Sequence, residues 1–286
     1  MTKIRTYCLA IALVHQCLLM NAAVAKEPKT AQTAKATEVQ GEAFAYPGAR
    51  RLAVLTTVSA GEKIHLTSGA KVTLSFLEKY VVFVISGEGE FKVTDAEVVA
   101  VGTAAKPVKQ EFASVFTTVK LRSNSLTQAG IVLRNALQDS GELRPANELV
   151  ACAAVSFGWT AFGRGEYTLN IKDEIDTLVH RAAVSPTAYR LPDAVKLLPG
   201  TKYRWDVSAQ GPQKKPISKW AEFSCLTTDE VQQIAALRPV ESSSLSDHLT
   251  YALFLESARI NSLAKTAWQD VALRFPGIEL EAAARR

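Results

Sequence analysis

Between residues 50 and 227, apolar side chains recur mostly at every second position, and after residue 229 the spacing lengthens to three and four. A period of two lines one face of a β-strand, and a period of 3.6 lines one face of a helix. Leu52-Ala53-Val54-Leu55-Thr56-Thr57-Val58 predicts a strand that ends at Ser59-Ala60-Gly61. Lys63-Ile64-His65-Leu66 and Lys71-Val72-Thr73-Leu74-Ser75-Phe76 alternate polar with apolar, separated by a turn at Ser68-Gly69. Tyr80 to Ile85 is a β-branched run, Gly87-Glu88-Gly89 reads as a hairpin turn, and Glu90-Phe91-Lys92-Val93 resumes the alternation. Short strands with glycine punctuation predict a small antiparallel β-domain over 49–104.

The pattern is β again from Leu149. Val155 to Trp159, Tyr167 to Ile171, Leu197 to Ala209 and Ser218 to Phe223 predict the strands of a second β-domain over 148–228. Thr228-Asp229-Glu230 then supplies a capping residue and acids at the positive end of a helix. Val231, Ile234 and Leu237 share one face before Pro239. Further helices are expected from about Leu245 to Arg259 and from about Ser262 to Phe275, stopped by Pro276-Gly277, so 229–280 reads as helical. Small residues at Ala252 and Ala264 let two helices approach, and Trp268 fills the groove between them.

Two stretches lack a clear period. Residues 26–48 begin with Lys, Thr, Ala, Gln and Glu and read as a solvated linker. Residues 105–147 read as a connector. Within it Phe112, Val115, Phe116 and Val119 sit at helical spacing, Phe116-Thr117-Thr118-Val119 equally suits a strand, and Leu126 to Leu137 is amphipathic.

The first 25 residues have the layout of a secretory signal peptide. Lys3 and Arg5 precede an apolar stretch from Cys8 to Val14 that resumes at Leu18-Leu19-Met20 and ends at Ala23-Val24-Ala25. His15 and Gln16 interrupt it, and it is shorter than the ~20 apolar residues of a spanning helix. Cleavage would leave a mature chain from Lys26 with no segment for membrane insertion. The formal net charge of +5 would lose Lys3 and Arg5 and become +3. That mild, scattered surplus gives no basic stripe for nucleic acid. The leader is of a bacterial kind, so the expected location is periplasmic or secreted.

Of the four cysteines, Cys8 and Cys17 would leave with the leader. Cys152 and Cys225 remain, and a pair in an exported chain reads as a disulfide bond. Two free buried cysteines are the alternative.

Particular strings carry resemblances. Gly61-Glu62-Lys63-Ile64-His65-Leu66, Ser68-Gly69-Ala70-Lys71-Val72-Thr73-Leu74 and Ile85 to Val93 resemble the FecR-type β-domain over roughly residues 50–103. Leu197-x-Pro199-Gly200-Thr201-x-Tyr203-x-Trp205-x-Val207-x-Ala209 resembles the corner and following strand of a fibronectin type III β-sandwich, a likeness covering about 145–227. That likeness implies a core role for Leu197, a turn at Pro199-Gly200, a tyrosine corner at Tyr203 and a core tryptophan at Trp159. It also implies neighbouring first and last strands, with Cys152 near the start of the first and Cys225 at the end of the last. Ala252, Leu255, Ala264, Trp268 and Pro276 resemble a tetratricopeptide-like helical hairpin. The expected fold class is therefore mainly β: a small antiparallel β-domain plus a fibronectin type III-like β-sandwich, with a C-terminal α-helical hairpin.

Chemistry is sparse. His65, His180 and His248 fall in three different predicted domains, and each reads as a surface or capping residue rather than a metal ligand. Asp173-Glu174-Ile175-Asp176 lacks the glycine and terminal glutamate of a calcium loop and reads as a turn. Tyr167, Tyr189, Trp205 and Trp220 suggest either sandwich core or an aromatic glycan platform, with Trp205 and Trp220 both partly core. No nucleophile elbow, zinc helix or phosphate loop stands out. The expectation is a non-enzymatic envelope protein without cofactor, catalytic or metal residues. Its partners would be other envelope proteins or, alternatively, a polysaccharide.

Overall fold

The computed structural model describes residues 33–111 and 143–276, apart from Ala154, Pro212 and Lys214. The expected leader, the helical spacing at 112–119 and the amphipathic stretch 126–137 lie outside the described residues. The chain is mainly β, built of several largely antiparallel sheets, with a packed pair of helices at its C-terminal side.

The first β unit comprises β1 (Thr33–Gln40), β2 (Ala43–Tyr46), β3 (Arg50–Arg51), β4 (Thr57–Ser59), β5 (Lys63–Leu66), β6 (Lys71–Phe76), β7 (Val81–Ser86), β8 (Gly89–Val93), β9 (Val98–Val101) and β10 (Val108–Glu111). They form two five-stranded sheets, ordered β10-β7-β6-β1-β4 and β3-β2-β5-β8-β9. Inward residues of both sheets, among them Val72, Leu74, Ile64 and Phe91, share one core.

Three expectations need correction here. The supposed linker contains β1 and β2, and β1 is paired on both sides. Its inward residues, Ala34, Ala36, Ala43 and Ala45, are fully buried. An alanine hides one methyl, about 0.8 kcal/mol against 1.5–3 for a buried valine or leucine, and alanine is poor in strands by propensity. The tertiary setting makes these strands, and local hydrophobicity does not announce it. Next, residues 52–56 turn instead of extending. Leu55 has φ +66° and its N–H donates to the Ala36 carbonyl, while Val54 and Leu55 pack toward the helices. Last, Gly87 and Gly89 join no hairpin, because β7 and β8 belong to opposite sheets. A Cβ at Gly89 would stand 2.5 Å from the Ala104 Cβ, so the crossing needs a residue without one.

The second β unit comprises β11 (Glu148–Val150), β12 (Ser156–Gly158), β13 (Arg164–Lys172), β14 (Leu178–Val184), β15 (Ala188–Arg190), β16 (Lys202–Gln210) and β17 (Pro216–Cys225). One sheet runs β11-β17-β16-β13-β14, and β12 pairs β15 in a two-stranded sheet. Phe157, Trp159, Leu169, Ile171, Tyr203, Trp205, Val207 and Phe223 fill the core between them. The Tyr203 hydroxyl accepts from the Leu198 N–H at 2.7 Å, the corner expected of that tyrosine. Gly200 takes φ +77° in the turn before it. The connector expected over 105–147 is shorter than that: β10 pairs with β7, and Arg144 bridges to Gly158. The Trp205 indole donates to the Pro145 carbonyl at 2.8 Å, so this stretch belongs to the second unit's interior.

The helices are α1 (Thr228–Ala236), α2 (Leu245–Ser257) and α3 (Asn261–Arg274). Capping boxes start the first two, Thr227 with Glu230 and Ser244 with Asp247. Ala252, Ala264 and Trp268 are buried as the spacing predicts, whereas Val231 is exposed. Helix α2 lies on the first unit. There Thr37, turned by a bulge in β1, meets Ser75, Ser246 and Thr250 in a buried cluster of hydroxyls. Tyr80 and Val82 of the first unit, Leu149 of β11 and Phe254, Leu255 and Ile260 of the helical segment share a third core.

Candidate binding surface

Strand register places side chains of the β3-β2-β5-β8-β9 sheet in cross-strand rows. Tyr46 pairs with Lys63, Lys63 with Lys92, and Lys92 with Val99. In the adjacent row Arg51 pairs with Phe44, Phe44 with His65, His65 with Glu90, and Glu90 with Val101. Successive strand residues point to opposite faces, and the intervening residues Ala45, Ile64 and Phe91 are buried, with Ala100 partly buried against the same core. Both rows therefore face outward. Tyr46 is 42 % exposed, Val99 42 % and Val101 39 %. Three large apolar side chains stand on one face, with Lys63 and Glu90 ion-paired between them at 2.5 Å. Lys92 is exposed on the same face.

The residues singled out from sequence are not brought together. His65 is half-buried on this face. His180, on β14, lies 2.7 Å from the Tyr189 hydroxyl and stacks on its ring; burial lowers the imidazole pKa and raises that of the phenol. His248 departs from the expectation of a surface or capping residue: it is 3 % exposed, within α2, whose cap is Ser244 with Asp247. Its Nδ1 is 3.3 Å from Asp270 Oδ2, Phe275 packs edge-on against its ring, and its Nε2 has no hydrogen-bond partner among the described residues. Arg274 donates to the other oxygen of Asp270 at 2.8 Å. The cavity beside this knot, lined by Arg238, Tyr251 and Asp270 among others, holds about 50 Å³. Ligand pockets run to about 300–1,000 Å³, so this one suits a water or two. Among the described residues no three His, Cys, Asp or Glu side chains group as metal ligands.

Cys152 and Cys225 form a disulfide, their Cα atoms 5.4 Å apart. The acidic run is spent on its turn: Asp173 accepts from the Ile175 and Thr177 N–H groups, Glu174 from the Lys202 N–H, and Asp176 pairs with Arg204. Of the four aromatics, Tyr167 and Trp205 are core, so they make no platform. Trp220 is opposite Asp206 in the ladder while its neighbour Ala221 is opposite the buried Trp205, so Trp220 faces away from the core it was expected to share.

Sequence reasoning missed Phe44 and Tyr46, which lie in the supposed linker. It also missed Glu148, 6 % exposed where β11 meets the start of α3. Burial pushes the Glu148 carboxyl up to about 7, against the opposing pull of Ala146 and Asn261 hydrogen bonds and the Arg144 charge. A lone glutamate in mixed sequence carries no local sign of such a setting.

Fold and faces together define a mainly β protein of two β units joined through a helical pair. Compared with protein-family models and with curated proteins, the sequence matches none.

Proposed function

We propose that the chain is a non-enzymatic exported protein of the bacterial envelope that binds another protein through the outer face of the β3-β2-β5-β8-β9 sheet. The observation that carries this reading is the clustering of exposed Tyr46, Val99 and Val101 on that one face. Large apolar side chains gathered on a sheet and rimmed by charge are the ordinary anatomy of a protein contact. The signal-like leader and the bridged cysteines support an oxidising compartment, periplasmic or secreted. The resemblances to FecR-type and fibronectin type III-like modules support an adhesive rather than a chemical role, since such modules present surfaces.

The test places a photo-crosslinking amino acid at Val99 or Tyr46 in cells that express the full chain. A reproducible, light-dependent adduct with one envelope protein, lost on Val101→Glu, supports the proposal. Adducts no different from those of a crosslinker at exposed Glu166 remove it. N-terminal sequencing of the exported material is expected to read from Lys26, and an uncleaved leader removes the export reading.

A further inference from the structure

The sandwich carries a second outward face, on its five-stranded sheet. Register aligns Arg181 of β14, Asn170 of β13, Asp206 of β16 and Trp220 of β17 in one row across four adjacent strands. At about 4.8 Å per strand the row is roughly 14 Å long. Its polar members are locked to one another. Arg181 Nε donates to Asn170 Oδ1 at 2.8 Å, and Asn170 Nδ2 donates to Asp206 Oδ2 at 2.8 Å. The amide is thereby held in one orientation. The terminal nitrogens of Arg181 and the second oxygen of Asp206 have no partner among the described residues, leaving donors and an acceptor fixed in place at either side of the amide. Beside this row lies a line of hydroxyls, Thr168, Ser208 and Ser218.

Charge decides the kind of ligand. Arg204 and Lys172 share Asp176, Lys202 is paired with Glu222, and Arg181 is coupled to Asp206 through Asn170. A face so neutralised offers little to a polyanion, whose binding rests on unpaired lysine and arginine. Its apolar groups, the Trp220 indole and the exposed Leu178, stand on β17 and β14 with two strands between them, too scattered for a protein hot spot. It does offer an aromatic ring for an apolar ring face, with oriented donors and acceptors alongside. A pyranose presents that combination: C–H bonds on one face and hydroxyls at its rim. Fixing Asn170 and Asp206 in advance lowers the ordering cost of binding.

We propose that this face binds a neutral saccharide chain, with one sugar ring on Trp220 and the next ones hydrogen-bonded to Asp206, Asn170 and Arg181. The proposal goes beyond the protein contact, which uses another sheet. A chain with both faces occupied would tether an envelope protein to a glycan.

The test titrates the full mature chain with cellotriose, maltotriose and chitotriose, read by calorimetry and by amide chemical shifts. The expected result is binding of at least one trisaccharide, with shifts confined to 168–172, 180–183, 204–208 and 218–222. Trp220→Ala is expected to weaken that binding at least tenfold, Trp220→Phe much less, and Asn170→Ala several-fold at an unchanged circular dichroism spectrum. Val101→Glu is expected to leave it unchanged, so failure of the protein contact and failure of this one are read separately. Binding by none of the three sugars, equal binding by Trp220→Ala, or shifts centred elsewhere would overturn the proposal.

Discussion

Glu148 sits where three pieces meet: β11 that carries it, the β17 strand it pairs with at Phe223, and the first turn of α3, whose N-cap residue Ile260 supplies no side-chain bond. With its carboxyl pushed up to about 7 by burial, the folded chain holds a proton that the unfolded chain, near 4.5, has released. The stabilisation is full below about pH 4.5 and is lost as pH rises through about 7, a difference of about 3 kcal/mol. Glu148→Gln keeps the protonated shape at every pH. The variant is expected to be more stable than the parent at pH 8 and equal to it near pH 4.5. Urea midpoints across that range measure the difference, and parallel curves for the two proteins would remove the claim. Trp220 and Tyr203 show how unevenly single residues can be read from sequence. Tyr203 follows the Pro199-Gly200 turn in a strongly alternating string, and the resemblance that string carries implied a bond to upstream backbone, where Leu198 donates. Trp220 sits in a strand that alternates equally well in either phase, and only pairing with β16 decides its direction.

Elements with strong periods or punctuation were legible: β5, β6, β8, β13, β16 and the helix pair lie close to where alternation, helical spacing and Pro276 place them, whereas the helix caps fall at Thr227 and Ser244, ahead of the expected Thr228 and Ser246. Elements made of small or exposed residues were not. Strand β14 has an open edge and an exposed outer side, so few apolar residues mark it. Strands β1 and β2 hide behind alanine. Helix ends are the most testable at this scale. Ser244 accepts from the Asp247 N–H, and Asp247 reciprocates. Ser244→Ala removes the acceptor of the Asp247 N–H while the Ser244 backbone N–H keeps its bond to Asp247, and is expected to cost about 1 kcal/mol. Thermal unfolding measures this, and a midpoint unchanged within error would count against the cap.

At the scale of the whole molecule, the helices fill space between two β units that sequence presents as separate beads. Their shared core draws Tyr80 and Val82 from the first unit, Leu149 from the second, and Phe254, Leu255 and Ile260 from the helical segment. No local pattern announces this, because each contributor is simply one more apolar residue in its own element. Removing residues 227–286 would strip this cover from Tyr80, Val82 and Leu149. The shortened chain is expected to aggregate or to bind a hydrophobic dye strongly, and to unfold at a lower temperature than the parent. A truncated protein that stays monomeric, dye-silent and equally stable would show that the β units do not depend on the helices.

The cysteine bridge has a mechanical consequence. Strand β11 runs parallel to β17, and the sulfurs join the chain just after the one to the end of the other. Tension entering at residue 143 and leaving through α1 therefore crosses at the sulfurs, and the sandwich between them is never pulled. A single molecule stretched to full length should extend further after reduction, by 73 residues at about 3.5 Å each, roughly 250 Å.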